Sequence, residues 1–216
     1  MATISGSAFA LHASGEWAAP QVRPLPITRK GATVAFDGLD REFSVAGPIH
    51  SITPDTVTVQ VPWEAQGALQ AYVKVRNGNP SEPFPIALAE VAPGIFHYES
   101  AGRSYALAMH ADDAAVTPQS PAARGSRVSV AMTGNGPVAL PPPTGSAGGF
   151  TNSTVNRPTV WIGGQRARVV YSGLDPALAG LYLVTFEVPR AVGPGEHSLR
   201  VDFAGVASNE ALLPVK

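Results

Sequence analysis

Apolar and polar positions alternate with a period of two along much of this 216-residue chain. In Thr56-Val57-Thr58-Val59-Gln60-Val61 and Ala71-Tyr72-Val73-Lys74-Val75 every second residue is apolar and usually valine, the pattern of a strand with one buried face. Comparable runs fall at residues 33–36, 128–132, 159–162, 168–171, 182–188 and 198–203. Asp37-Gly38, Asn77-Gly78, Gly163-Gly164, Gly193-Pro194-Gly195 and Ala204-Gly205 delimit them and supply the positive-φ positions that hairpin turns require. No segment carries a sustained i, i+3, i+4 apolar stripe, and residues 175–179, opening with Asp175-Pro176, predict one helical turn at most. The pattern predicts an all-β chain.

An internal repeat organises these strands. Val61-Pro62 returns as Val188-Pro189, Gly78 as Gly205 and Ser81 as Ser208, each pair 127 positions apart (189 − 62, 205 − 78, 208 − 81). Val34 matches Val160 at 126, and Gly6 matches Gly134 at 128. Such a spacing predicts two tandem immunoglobulin-like β-sandwiches, residues 1–92 and 93–216. Residues 93–125 have no counterpart in the first unit and predict a hairpin, 94–98 against 105–109, prefixed to the second. Residues 136–156, with Pro141-Pro142-Pro143, Gly145, Gly148 and Gly149, have the composition of an exposed, mobile loop. The short joint at Val91-Ala92-Pro93 predicts a semi-rigid pair with a modest apolar interface involving Trp63 or Phe96.

Composition narrows the function classes. Twenty-two Gly and 21 Pro with 14% charged residues suit strands and turns rather than helices. A formal net charge of −1 provides no excess of cations to neutralise phosphates, so nucleic acid is not an expected partner. With no cysteine, disulfides, thiolate metal sites and Cys nucleophiles are excluded, and stability rests on burial and backbone pairing. The N-terminus lacks the basic and apolar regions of a signal peptide, and no stretch approaches the ~18 apolar residues of a membrane helix. Met1 reads as a start added to a piece of a larger protein whose own signal is not in this chain. A monomer is expected.

Several motifs, taken in order, resemble a known family: Val61-Pro62-Trp63-Glu64, Ala92-Pro93-Gly94-Ile95-Phe96, Pro121-Ala122-Ala123-Arg124-Gly125, Thr133-Gly134-Asn135-Gly136-Pro137, and Gly180-Leu181-Tyr182 with Val188-Pro189. They resemble the uncharacterised Solibacter-type C-terminal domain of acidobacterial proteins, over nearly the whole chain. Each half separately resembles the IPT/TIG class of immunoglobulin-like modules. The resemblance implies an accessory module of a secreted or cell-surface protein with no established activity, and brings no catalytic residues with it. Where that family has an Asn-rich, Asp-Gly turn, this chain has His110-Ala111-Asp112-Asp113-Ala114.

Candidate chemistry is sparse. His110, Asp112 and Asp113 form the one close cluster of metal-ligand types, without the further oxygens a hard cation needs, and read as a solvated turn. Neither a Gly-x-Ser-x-Gly elbow nor a His-Glu-x-x-His helix is present, so no enzyme and no cofactor is expected. The aromatic side chains are the stronger candidates. In Thr159-Val160-Trp161-Ile162 the alternation puts Trp161 on the face opposite Val160 and Ile162, where it either covers a neighbouring module or offers a stacking platform. Trp63 is expected to pack at the joint between modules, and Trp17 to cap one end of the first sandwich. The functional expectation is a non-catalytic spacer, anchor or adhesion surface whose partner is a protein or polysaccharide at the cell surface; the alternative is a carbohydrate-binding module using Trp161 or Trp17.

Overall fold

The computed structural model describes residues 1–6, 9 and 24–216. Its strands are β1 (Ala2–Ser5), β2 (Thr28–Arg29), β3 (Ala32–Gly38), β4 (Ser44–Ala46), β5 (Ile49–Ile52), β6 (Thr56–Val59), β7 (Gln70–Asn77), β8 (Asn79–Pro80), β9 (Phe84–Ala87), β10 (Gly94–Ile95), β11 (His97–Ser100), β12 (Arg103–Ala106), β13 (Ala108–His110), β14 (Arg127–Thr133), β15 (Thr159–Ile162), β16 (Gln165–Leu174), β17 (Tyr182–Glu187), β18 (Gly195–Phe203), β19 (Val206–Ala207) and β20 (Ala211–Val215). The helical content among the described residues is one 3₁₀ turn, Trp63–Ala65. The chain is all-β, as the alternation predicts.

The described residues divide into two compact units. One comprises Met1–Glu90, Pro141–Gly148 and Pro176–Gly180, and the other Val91–Leu140, Gly149–Asp175 and Leu181–Lys216. In the first unit, a sheet ordered β1-β6-β5 and a sheet ordered β2-β3-β7-β8, with β4 on β3 and β9 on β7, bury their valine faces. Val34, Phe36, Val73 and Val75 of the larger sheet share one apolar cluster with Ile49, Ile52, Val57 and Val59 of the smaller. Each such side chain contributes ~1.5–3 kcal/mol on leaving water, and β-branched residues dominate because they fit a pleated, half-buried surface.

Two details of this unit depart from the alternation. Asp37-Gly38, expected to turn, instead ends β3, paired with Tyr72 and Ala71 of β7. Cross-strand bonds explain the extension: Lys74 Nζ lies 2.7 Å from Asp37 and Ser44 Oγ donates to it at 2.6 Å, holding its carboxyl below the usual range, with Lys74 the larger cause. Gln60, polar and out of phase, is buried, while Val61 is not. The strand has ended at Val59, and the Gln60 amide oxygen accepts the Gly145 N–H at 2.9 Å. Gly145 in turn accepts from Leu25 N–H at 2.8 Å, so residues 141–148 are held against this unit by backbone as well as side-chain bonds.

In the second unit a single path of hydrogen-bonded strands runs β10-β14-β17-β16-β15-β18-β20-β12-β11, with β13 on β14 and β19 on β18. Residues 93–125 contain a hairpin, β11 with β12, whose flanks β10 and β13 pair with β14. β16 is the corner of the path. Its residues 165–167 pair with β15 and residues 168–174 with β17, and a bulge between Val169 and Tyr171 lies within that second pairing, where it bends and twists the strand. Val128, Val130, Met132, Val184 and Phe186 on one side of the corner, and Val160, Ile162, Leu199, Val201 and Phe203 on the other, are buried to within 1%.

The repeated glycine and serine occupy matching hairpins. β7 turns into β8 through Gly78 at φ 78, and β18 into β19 through Ala204-Gly205, with Gly205 at φ 84. Beyond each turn a serine ties the strand end. Val75 N–H donates to Ser81 Oγ at 3.1 Å and Val201 N–H to Ser208 Oγ at 3.0 Å, while each serine N–H returns a bond to the same valine carbonyl. The spans are six and seven residues, so the second turn carries one residue more than the first. Ser208 is buried and Ser81 exposed. Ser208→Ala is therefore expected to cost about 1 kcal/mol, because Val201 N–H loses its partner out of reach of water, and Ser81→Ala about half of that. Urea titration of the two variants checks the order.

Candidate functional site

The two-residue turn Gly163-Gly164, with φ 53 and 78, joins β15 to β16 and pairs Ile162 with Gln165. Two consecutive left-handed residues make the tight hairpin that matches strand twist. That register places Arg166 opposite Trp161, while β18 on the other flank places Arg200 opposite the same residue. The outer face of the second unit thus carries the cross-strand row Arg166, Trp161, Arg200, over an inner row of buried Ala167, Val160 and Val201. Opposed residues on one face lie ~5 Å apart at Cβ.

Trp161 is half-buried and fixed in orientation. Its Nε1–H donates to Asp202 at 2.9 Å, Asp202 also receives Arg200 Nε at 3.1 Å, and the Arg200 guanidinium carbon stands 6.0 Å from the ring centroid. The ring therefore has a charged neighbour of the kind aromatic faces attract. Beside it, Arg157, Thr159, Arg166 and Arg168 border a shallow cavity of about 480 Å³ at the β16 corner. Arg168 is engaged: its Nε donates to Glu187 at 3.0 Å, and Arg127 approaches the same carboxylate at 3.9 Å. Arg157 and Arg166 are exposed, and among the described residues their side chains make no hydrogen bond or ion pair.

The carboxylates of the second unit serve as fixed anions. Glu187 is held below the usual carboxylate range, first by its bond from Arg168. Glu196 is held low first by the Tyr105 hydroxyl, which donates at 2.7 Å, and then by Arg103. Because their folded pKa values are depressed, these groups favour the folded state above the unfolded carboxylate pKa of about 4.3, and that contribution disappears as pH falls through the lower folded values. The melting temperature is expected to hold steady from pH 7 to about 5 and to decline below about 4. Glu187→Gln is expected to make that decline shallower. Both ion pairs are largely exposed, so added salt weakens the effect, and calorimetry across pH at two salt concentrations reads it directly.

The other sequence candidates lie elsewhere. Trp63 opens the 3₁₀ turn of the first unit. Its backbone N–H donates to Thr144 Oγ1 at 3.1 Å, and its indole Nε1 is buried with no hydrogen-bond partner among the described residues, which leaves it out of reach of a ligand approaching from solvent. Trp17 lies outside the described residues. His110 turns its Nε2 toward Ser120, 3.1 Å from the carbonyl oxygen, and Asp112 accepts the Ala114 N–H at 3.3 Å, a local turn. Among the described residues no three His, Cys, Asp or Glu side chains gather as a metal group, and no helix is long and apolar enough to cross a membrane. Arg166 and Arg200 were not singled out in the sequence. Arg166 was within reach, since a two-residue turn after Ile162 sets its register, whereas Arg200 arrives through pairing 39 residues away.

No family model matches the chain, and no curated protein does. Among solved structures the chain is similar to SGBP-B of the Bacteroides ovatus mixed-linkage glucan utilization locus, in complex with a mixed-linkage heptasaccharide, at 13% identity and a TM-score of 0.29. The match covers 87% of this chain and 38% of that one.

Proposed function

We propose that this chain is a non-catalytic interaction module of a secreted or cell-surface bacterial protein, and that it meets its partner through the outer face of β16, β15 and β18. The observation that carries this reading is the row Arg166, Trp161, Arg200. Its central ring is held by Asp202 on strands whose inner side chains are buried, so the ring is presented without the entropy cost of ordering it on contact. Aromatic and arginine side chains on a rigid support are the residues that most often anchor interfaces. The family resemblance supports the extracellular setting.

Co-sedimentation with a bacterial envelope fraction tests the reading. The wild-type chain is expected to be retained, and a Trp161→Ala, Arg166→Glu double variant to lose at least ~10-fold in retention, the worth of one or two buried contacts. Equal retention of the two proteins, or none of either, overturns it.

A further inference from the structure

Arg157 and Arg166 are exposed guanidinium groups that bond no anion among the described residues, and they border one cavity with Arg168. Around that cavity and along the adjoining rows stand five arginines, at positions 127, 157, 166, 168 and 200, with Glu187 and Asp202 as the carboxylates bonded among them. Farther along β18, Glu196 is matched by Arg103. The face is therefore locally cationic on a chain whose formal net charge is −1. Such a local excess attracts an anion and orients it.

Resting on the interaction reading above, we propose that this face binds an acidic polysaccharide, with a carboxylate or sulfate of one sugar in the cavity of Arg157, Arg166 and Arg168 and a neighbouring sugar ring on Trp161. The geometry suits a polymer that alternates apolar ring faces with anionic groups. Strands ~4.8 Å apart set Arg166 and Arg200 on either side of the indole, roughly 10 Å from each other. Arg166 and Arg168 are two residues apart on one strand, ~7 Å, on the same face. Guanidinium groups hold carboxylate and sulfate oxygens through paired N–H donors, and the indole supplies the apolar surface between them. A nucleic acid would need a longer basic track to neutralise successive phosphates, and the cations here are confined to one corner of one unit.

Affinity electrophoresis in gels containing polygalacturonate, chondroitin sulfate, neutral dextran, poly-glutamate or single-stranded DNA tests this. Retardation is expected with polygalacturonate or chondroitin sulfate, the two gels separating carboxylate from sulfate recognition. It is expected to be absent with dextran, to weaken steeply with salt, and to fall about tenfold or more in Arg166→Gln and in Arg157→Gln. Trp161→Ala is expected to weaken it comparably, whereas Arg76→Gln, an exposed arginine of the first unit, leaves it unchanged. Equal retardation by poly-glutamate or DNA, or equal loss in Arg76→Gln, overturns the proposal as unspecific charge attraction. Retardation by dextran that vanishes in Trp161→Ala overturns the acidic class while leaving the interaction face standing. Retardation in none of the gels, with envelope retention intact, likewise overturns this proposal alone.

Discussion

Replacing Gly134 by alanine is expected to destabilise the chain by about 3 kcal/mol or more, lowering its melting temperature by roughly 6–12 °C. Gly134 sits at φ +70, and a Cβ there would lie 1.9 Å from the carbonyl oxygen of Ala92. The neighbour is backbone, fixed by the bond from Ala92 N–H to Gly134 O at 2.8 Å and by the pairing of Gly94 with Thr133 that follows. The substitution therefore adds a left-handed alanine, at ~1–2 kcal/mol, to a clash that is relieved by parting these two segments. Gly102 isolates the first term, since it has φ +73 and open space where its Cβ would stand. Gly102→Ala is expected to cost no more than ~1–2 kcal/mol. Equal losses in the two variants would show that the close approach to Ala92 contributes nothing.

The neighbouring residue predicts a gain. Asn135 is fully buried, and among the described residues neither its amide nitrogen nor its amide oxygen has a hydrogen-bond partner. Two polar atoms buried unpaired at ~1–3 kcal/mol each outweigh the ~1–3 kcal/mol of crowding that the larger leucine brings in the same branched shape, so Asn135→Leu is expected to raise stability by about 2 kcal/mol and the melting temperature by roughly 4–8 °C. Asn135→Asp is expected to act in the opposite sense at pH 7 and to recover as pH falls, because an unpaired buried carboxylate must be protonated to stay folded. Calorimetry of both variants reads the two signs. A destabilised Asn135→Leu would mean that the amide is satisfied in the folded chain.

How far the sequence reaches depends on whether a feature is set by near neighbours. The inward valines of β6 and β7 follow from alternation alone, because a period of two maps onto the two faces of a pleat. Gln60 escaped that logic because it lies one residue past the strand, where a bond to Gly145, 85 residues on, decides its burial. β16 runs ten residues, Gln165–Leu174, where alternation marks 168–171, because it pairs with different strands in its two parts and periodicity does not report a change of partner. The serine brackets at Ser81 and Ser208 had left a trace in the repeat spacing, though the sequence could not say what the serines do. At the candidate site, the outward face of Trp161 was legible from the two residues beside it. The arginines that give the site its charge come from two other strands, and one of them needs the full sheet order to be found.

The claim on which the function rests is that Trp161 is the point of contact. Fluorescence of a Trp17→Phe, Trp63→Phe variant, in which Trp161 is the remaining indole of the three in the chain, addresses it directly. Titration with the envelope fraction that retains the wild-type chain should change the emission saturably and shield the indole from iodide quenching. An indole whose emission and quenching stay constant while the same protein sediments with the envelope would contradict the account.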